Sequence, residues 1–458
     1  MTVPSSVEPE EVPWVPTRAV GRAVLFCGLA VFTGVLLGRV DLVVLAAPFA
    51  IGLAWGLRRR PTRPPVVAAE IADEDAAEGA TVGLALEMSN EDRVPLDLVV
   101  GRLATSPWLE VTDGARPYAG DVSAAEADGV VGRRGRGLRP VGSVRRVELT
   151  ATALRWGYQQ VGPAVAFGVA GDGLLVSGTV VAPPLTVRVY PAVPPFRADQ
   201  AMPRSAALVG VHRSRRPGED GELSGVRRYG PGDRLRRIDW RVTLRTREVH
   251  VAAFLSDRDA EVIVLLDVLH EVGTSGGIRG EASVVDATVR AAAAICDHYL
   301  RQGDRVGLVE YSGRPRYLRP ASGRRQLVTA LDWLLDTQAG GGMGPTFGLD
   351  PSSIPNAALV VVLTPLLGPT SAETIAALAR AGRSVVAVDT LGSLGQRRIP
   401  GSRWTPVAQR LWWFERENLI GLLHEAGVPV TPWIGPGSLD QVLNDMARMA
   451  AAGRLGAR

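Results

Sequence analysis

Three rhythms of apolar and polar residues succeed one another along this chain. The first is a pair of apolar runs, AVLFCGLAVFTGVLLG (Ala23–Gly38) and LVVLAAPFAIGLAWGL (Leu42–Leu57), with only Arg39-Val40-Asp41 between them. Each run measures about 24 Å as a helix, a little short of a roughly 30 Å hydrocarbon core, and snorkelling of Arg22, Arg39 and Arg58 extends it. The pattern predicts a two-helix transmembrane hairpin over residues 20–57, behind a tail of residues 1–19. Arg18 and Arg22 precede the first run, and Arg58, Arg59, Arg60 and Arg63 follow the second. By the positive-inside rule both ends, and with them the bulk of the chain, lie in the cytoplasm, the hairpin crossing the plasma membrane twice. Trp14 and Trp55 are expected at the membrane interface. A signal peptide cleaved near VLAAPFA is the alternative, and the second apolar run with its arginine cluster argues against it.

After a short linker at 58–65, the period drops to two. TVGLALEM (Thr81–Met88), LDLVVGRL (Leu96–Leu103), RRVELTATAL (Arg145–Leu154), AVAFGV (Ala164–Val169) and LTVRVYP (Leu185–Pro191) read as strands punctuated by turn residues. They predict a β-sandwich-like domain over 66–195. GRRGRG (Gly132–Gly137) reads as a solvated basic loop.

The third rhythm alternates buried strands with helices over 258–458. EVIVLLDV (Glu261–Val268) is a continuous apolar run, as in a strand covered on both faces. Val285, Val289, Ala292, Cys296 and Tyr299 recur at helical spacing. Strands follow at Arg305–Ser312, Ala357–Leu366, Ser384–Thr390 and Val428–Ile434. Helices are expected at Arg325–Gln338, Ser371–Gly382, Glu415–Ala426 and Leu439–Ala452. This is the order of an α/β domain with a mostly parallel sheet, whose sites lie at the carboxyl ends of its strands.

Composition narrows the chemistry. The 458 residues call for two or three domains. The 51 basic residues are all arginine and stand against 47 acidic ones, a net charge of +4, so no global charge selects a partner. Cys27 and Cys296 are far apart and suit neither a disulfide framework nor a zinc site. GTSGG (Gly273–Gly277) and GGGMGPT (Gly340–Thr346) lack the spacing of a nucleotide loop. No nucleophile with a legible base stands out, so an enzyme is not expected, and no cofactor is called for.

Between the two globular rhythms, residues 196–257 concentrate arginine. From Arg213 to Arg247 there are eleven arginines against five acids. Pro231 and Gly232 suit the centre of a type II turn, Asp233 can cap the next segment or pair with Arg236 or Arg237, and Asp239 reaches nearby arginines. Trp240 offers a face for a guanidinium. The expectation is an arginine–carboxylate clamp around a buried tryptophan that also presents arginines to a protein partner. Nucleic acid is not expected, because only Tyr229 and Trp240 interleave with the arginines.

The stretch ELSGVRRYGPGDRLRRIDWRVTLR (Glu222–Arg245) resembles bacterial membrane proteins of the domain-of-unknown-function 58 family, whose core domain looks like a von Willebrand factor A (vWA) fold. Arg227, Tyr229, Pro231, Gly232, Asp233, Arg236, Ile238, Trp240 and Arg245 fill the family pattern. With Arg237 and Asp239, these residues are the candidates for partner binding or for the clamp. The resemblance implies a MoxR-type AAA+ ATPase as partner, and a role as a membrane-anchored, non-catalytic adaptor in the assembly or activation of client protein complexes. Metal-binding vWA domains resemble one another in an Asp-x-Ser-x-Ser motif, where this chain reads Asp267-Val268-Leu269-His270-Glu271. Thr346 could fill the threonine place, but Thr364-Pro365-Leu366 supplies no aspartate. Asp267 and Thr346 are therefore weak metal candidates, and no metal is expected. Two rival classes stay open: a divalent-cation-dependent, adhesion-type ligand-binding module, and an envelope-linked enzyme.

Overall fold

The computed structural model describes residues 13–112, 121–123, 143–193, 223–230, 238–254, 261–339, 354–355, 358–392 and 404–433, with backbone alone at 121–123, 143, 223–225, 227 and 252–254. The expected helix at Leu439–Ala452 and the basic loop Gly132–Gly137 lie outside these residues. The chain divides into two compact units, Met1–Pro191 with Gly277–Arg279, and the remainder.

The first unit opens with β1 (Trp14–Pro16), then α1 (Arg18–Leu37) and α2 (Val40–Arg58). Both helices are long and apolar enough to cross a membrane, and only 11% of each apolar window is buried, unlike a soluble core helix. The buried contact between them is made by small residues. Ala30 and Ala46 are buried, and a Cβ on Gly34 would come within 2.9 Å of Val43. Small residues are what let two apolar helices approach closely where no hydrophobic drive separates helix from lipid.

The strands that come next are β2 (Val66–Ile71), β3 (Asp75–Ala77), β4 (Thr81–Asn90), β5 (Leu98–Thr105), β6 (Leu109–Val111), β7 (Asp121–Ser123), β8 (Ser143–Ala153), β9 (Gly157–Ala170), β10 (Leu175–Ser177), β11 (Val180–Ala182) and β12 (Leu185–Tyr190). Among the described residues they form two sheets. One runs β2-β4-β8-β6, and the other is built on β5, β9 and β12. Alternate side chains from both (Leu84, Leu86, Met88 and Leu149 from one, Val99, Leu103, Val161 and Val187 from the other) meet in a single apolar core. This is the two-layer arrangement that the period of two predicts.

The start of the chain departs from expectation. Residues 14–16 are not part of a tail: β1 pairs antiparallel with β10, Trp14 opposite Ser177. Trp14 is a core residue, 3% exposed, with its indole N–H donated to the Arg63 carbonyl at 3.3 Å. Trp55 is 54% exposed, and the Arg59 guanidinium lies 4.8 Å from its ring centre. The exit of the hairpin is held as firmly as its entry. Gly56 packs so closely on Gly171 that a Cβ on either would fall 2.8 Å from the other's carbonyl oxygen, and Gly171 has φ +67°. Beyond it, Asp92 gathers the linker. Its Oδ2 accepts from the Thr62 amide (2.5 Å), the Thr62 hydroxyl (2.9 Å) and the Arg63 amide (2.7 Å), and its Oδ1 from Val94 N (2.9 Å). The hairpin is thus an insertion between two strands of one sandwich, stitched in at both ends.

The second unit begins with β13 (Leu223–Arg228), α3 (Trp240–Thr246) and β14 (His250–Phe254), the two strands pairing antiparallel. Then come β15 (Glu261–Asp267), α4 (Val284–Arg301), β16 (Arg305–Tyr311), β17 (Tyr317–Ala321), α5 (Arg324–Leu335), β18 (Leu359–Thr364), α6 (Pro369–Arg380), β19 (Ser384–Asp389), α7 (Thr405–Glu425) and β20 (Val430–Pro432). The sheet order among the described residues is β17-β16-β15-β18-β19-β20, with all neighbours parallel except β16 and β17. Counted within this sheet the order is 3-2-1-4-5-6, that of a doubly wound α/β layer. Ile263, Leu265, Val360, Val362, Val385 and Ala387 face α6 and α7. The alternate residues of β15 face the opposite side, where α4 packs against the strand and against α5. α4 is buried on almost every side, and burial pushes the Cys296 thiol up to about 12, so this cysteine is an inert core residue. α7 starts ten residues before the expected helix, and the antiparallel edge strand β17 was not among the expected elements.

Burial pushes the Asp92 carboxyl up, but its four hydrogen bonds outweigh this and hold it below the ordinary range. Folding therefore favours the ionised form. The stabilisation is whole above the ordinary carboxylate range and is lost as pH falls through the lowered value. Asp92→Ala is expected to cost the sandwich about 2–4 kcal/mol at neutral pH. Urea unfolding at pH 7 and pH 3 checks this, and the gap between wild type and variant should shrink at the acid end.

Candidate functional site

In a doubly wound sheet the site position is where the strand order reverses, here between the carboxyl ends of β15 and β18. Asp267 ends β15 and is 3% exposed. Its Oδ2 accepts the Thr364 hydroxyl at 2.6 Å, its Oδ1 faces the Leu269 amide at 3.4 Å, and the Ser371 hydroxyl of the first turn of α6 also bonds to it. Thr364 is the last residue of β18. Its hydroxyl also accepts the Leu366 amide (3.1 Å), and Leu366 is held at φ +50°, an uncommon conformation for a side chain of this size.

One strand further on, Asp389 ends β19. Its Oδ2 lies 2.6 Å from Nη2 of Arg416, whose side chain is 4% exposed and comes from the core face of α7. Its Oδ1 accepts the Leu391 amide at 3.0 Å. The same guanidinium reaches the Pro365 carbonyl at 3.4 Å and stands over the Trp413 ring. The Thr390 amide donates to the Thr364 carbonyl (3.0 Å), and the Thr288 hydroxyl of α4 donates to that of Thr390 (3.1 Å). The amino end of α4 is closed by its own capping box, Ser283 with Asp286, and by Glu271, which accepts the Val285 amide at 3.3 Å.

The result is a polar layer whose groups bond to one another. A hard divalent cation needs several oxygens facing one point, most of them carboxylate, carbonyl or water. Among the described residues, the side-chain oxygens bonded to Asp267 are the hydroxyls of Thr364 and Ser371, and there is no cluster of three His, Cys, Asp or Glu. This donor set does not fit such an ion. Thr346 lies outside the described residues. Thr364, Ser371, Asp389, Thr390 and Arg416 were not among the sequence candidates. The signals for them were the aspartate closing the apolar run SVVAVD and an arginine at a core-facing position of a tryptophan-containing helix.

The arginine-rich motif is a separate place in the same unit. Pro231, Gly232, Asp233, Arg236 and Arg237 lie outside the described residues, and of Arg227 only the backbone is described, opposite Val251 in the β13–β14 ladder. Among the described residues Asp239 serves as the N-cap of α3 and not as an arginine's partner, its Oδ1 accepting the Arg241 amide at 3.0 Å and the Val242 amide at 3.1 Å. The expectation of a buried tryptophan is corrected: Trp240, first residue of α3, is 64% exposed, because the short helix turns it outward. Leu244 is 80% exposed one turn later, and Tyr229 is 40% exposed. Arg241 and Arg245 are exposed beside them. Arg228 and Glu248 pair at 2.8 Å on the surface, a contact worth about 0–1 kcal/mol. The segment is thus a small apolar and basic face on a hairpin.

Two substitutions check the polar layer. Arg416→Leu leaves Asp389 buried without its counter-charge and is expected to lower stability by about 3–5 kcal/mol in denaturant unfolding. Asp267→Asn is expected to act oppositely. Burial, the largest influence, holds the Asp267 carboxyl above its ordinary range despite the hydroxyls of Ser371 and Thr364. The folded state then binds the proton more tightly than the unfolded chain, so this stabilisation is present below the ordinary carboxylate range and is lost as pH rises through the raised value. The amide removes that loss, and the variant should gain stability over wild type as pH rises from 4 to 8.

Residues 225–401 match a family described as "Protein of unknown function DUF58". Uncharacterized proteins of Mycobacterium tuberculosis and Mycobacterium bovis are 34% identical over 119 residues, which are 26% of this chain and 37% of theirs. The chain therefore spans little more than a third of the length of these curated relatives. Among solved structures, an aerotolerance-related membrane protein from Bacteroides fragilis is 13% identical, covering 41% of this chain and 98% of that one at a TM-score of 0.30. A cohesin module from Clostridium perfringens is 11% identical, covering 29% and 100% at a TM-score of 0.20. At these scores the fold rests on the sheet topology alone, and the sequence match to DUF58 covers the arginine hairpin from Gly225 and the polar layer as far as Asp389 and Thr390, leaving out Arg416.

Proposed function

We propose that this chain is a membrane-anchored, non-catalytic adaptor. In this reading the hairpin crosses the plasma membrane twice with the bulk of the chain in the cytoplasm, and the doubly wound domain is vWA-like with its metal position given up. It works with a MoxR-type AAA+ ATPase in assembling or activating client protein complexes. The observation that carries the proposal is the pairing of Thr364 with Asp267: the position where such a sheet offers a ligand site is spanned by a hydroxyl–carboxylate bond of 2.6 Å. The strand order, with its antiparallel second edge pair, supports the vWA-like reading. Outside that layer, α3 turns Trp240, Leu244, Arg241 and Arg245 to solvent, and tryptophan and arginine are the residue types enriched at protein interfaces.

The test is co-purification of the full chain, in detergent, from its native host. The wild type is expected to retain a MoxR-type ATPase. Trp240→Ala/Arg245→Glu, with an unchanged circular dichroism spectrum, is expected to lose it by about tenfold or more, an interface loss of roughly 1.4 kcal/mol or above. Wild-type protein that retains no such ATPase overturns the adaptor reading.

A further inference from the structure

α7 carries apolar residues on two opposite sides. Arg416 and Leu423 are buried toward the sheet, with Leu419 and Ile420 packed beside them. On the other side Trp404, Val407, Leu411, Phe414 and Leu422 are 63, 50, 59, 68 and 54% exposed. The first four are spaced 3, 4 and 3 apart, and Asn418 and Gly421 continue the same seam at 4 and 3. That is the a/d repeat of a helix built to pack on another helix, and a lone asparagine at an a position is a device that fixes register.

Gly421 is the second observation. Glycine is unfavourable in a helix interior, and a Cβ added here would meet nothing within 4 Å. Among the described residues, none stands close enough to call for so small a residue at that place. Charge adds a third: Arg410 and Glu417 are exposed on the same flank of the seam, seven residues apart.

We propose that this stripe is the contact between two copies of this chain, with the two α7 helices antiparallel about a two-fold axis passing between Leu411 and Phe414. In that register Leu411 meets Phe414 of the second copy, Val407 meets Asn418, and the Trp404 ring lies over Gly421, so the largest side chain of the seam faces the smallest. Arg410 meets Glu417 on the flank, twice by symmetry. An isologous contact of this kind closes on itself and yields a dimer rather than a filament.

The experiment is light scattering of the full chain in detergent, over a micromolar concentration series. The wild type is expected to be a dimer. Phe414→Glu, and independently Gly421→Leu, should raise the dissociation constant at least about tenfold. Gly421→Leu improves helix propensity and meets no described residue in the single copy, and an unchanged circular dichroism spectrum separates its effect from unfolding. Arg410→Glu should weaken the dimer, and Arg410→Glu/Glu417→Arg should restore it. A monomeric wild type overturns the proposal, and would mean that lipid or residues 434–458 cover the stripe. So does a dimer indifferent to both Phe414→Glu and Gly421→Leu, or one that the charge exchange does not restore.

Discussion

A carboxylate taken out of water is costly unless its oxygens are met, and in the α/β unit two of them stand on the ends of buried strands. Asp267 is met by hydroxyls from Thr364 and Ser371, Asp389 by the buried guanidinium of Arg416. The surrounding pieces answer these two demands. α6 must begin where Ser371 can reach Asp267, the turn after β18 must place Leu366 at positive φ to bond Thr364, and α7 must carry a charge on its core face. The last two are locally unfavourable, and each is explained by what it satisfies at the edge of the sheet. Meeting the carboxylates internally engages the hydroxyls of Thr364 and Ser371 and the guanidinium of Arg416 at that edge.

The sandwich unit answers a different constraint. Two apolar helices with only 11% of each apolar window buried contribute little to a soluble core, and their attachment is made at their ends. The chain forms a strand before the hairpin, packs glycine on glycine after it, and ties the linker to Asp92. Entry and exit are thereby fixed to one body.

Much of this was legible in the sequence for a physical reason: the strongest signals were long. Two apolar runs, a stretch of period two and a set of strand–helix alternations each extend over tens of residues, and burial enforces each one. What escaped was short or non-local. The three-residue strand at Trp14 is defined only by β10, more than 150 residues away, so its tryptophan looked interfacial when it is core. β17 is a half-exposed edge strand containing a proline and carries little apolar pattern. The first half of α7 has apolar residues on both sides and so lacks the one-sided period. At the site, Asp267 was found because it closes an apolar run. Thr364 was noticed only for not being an aspartate, and Arg416 was missed because its role exists only once β19 brings Asp389 beside it. The exposure of Trp240 was misjudged for a similar reason: an N-cap at Asp239 starts a helix too short to have a periodic signature.

Among the described residues, the side-chain oxygens bonded to Asp267 are the hydroxyls of Thr364 and Ser371, a set that does not fit a divalent cation. Isothermal titration of Mg²⁺ into the full chain, beside an Asp267→Ala variant, tests this most directly. No saturable heat is expected in either protein. Saturable binding to the wild type that disappears in the variant would contradict it and would favour a cation-dependent ligand-binding module.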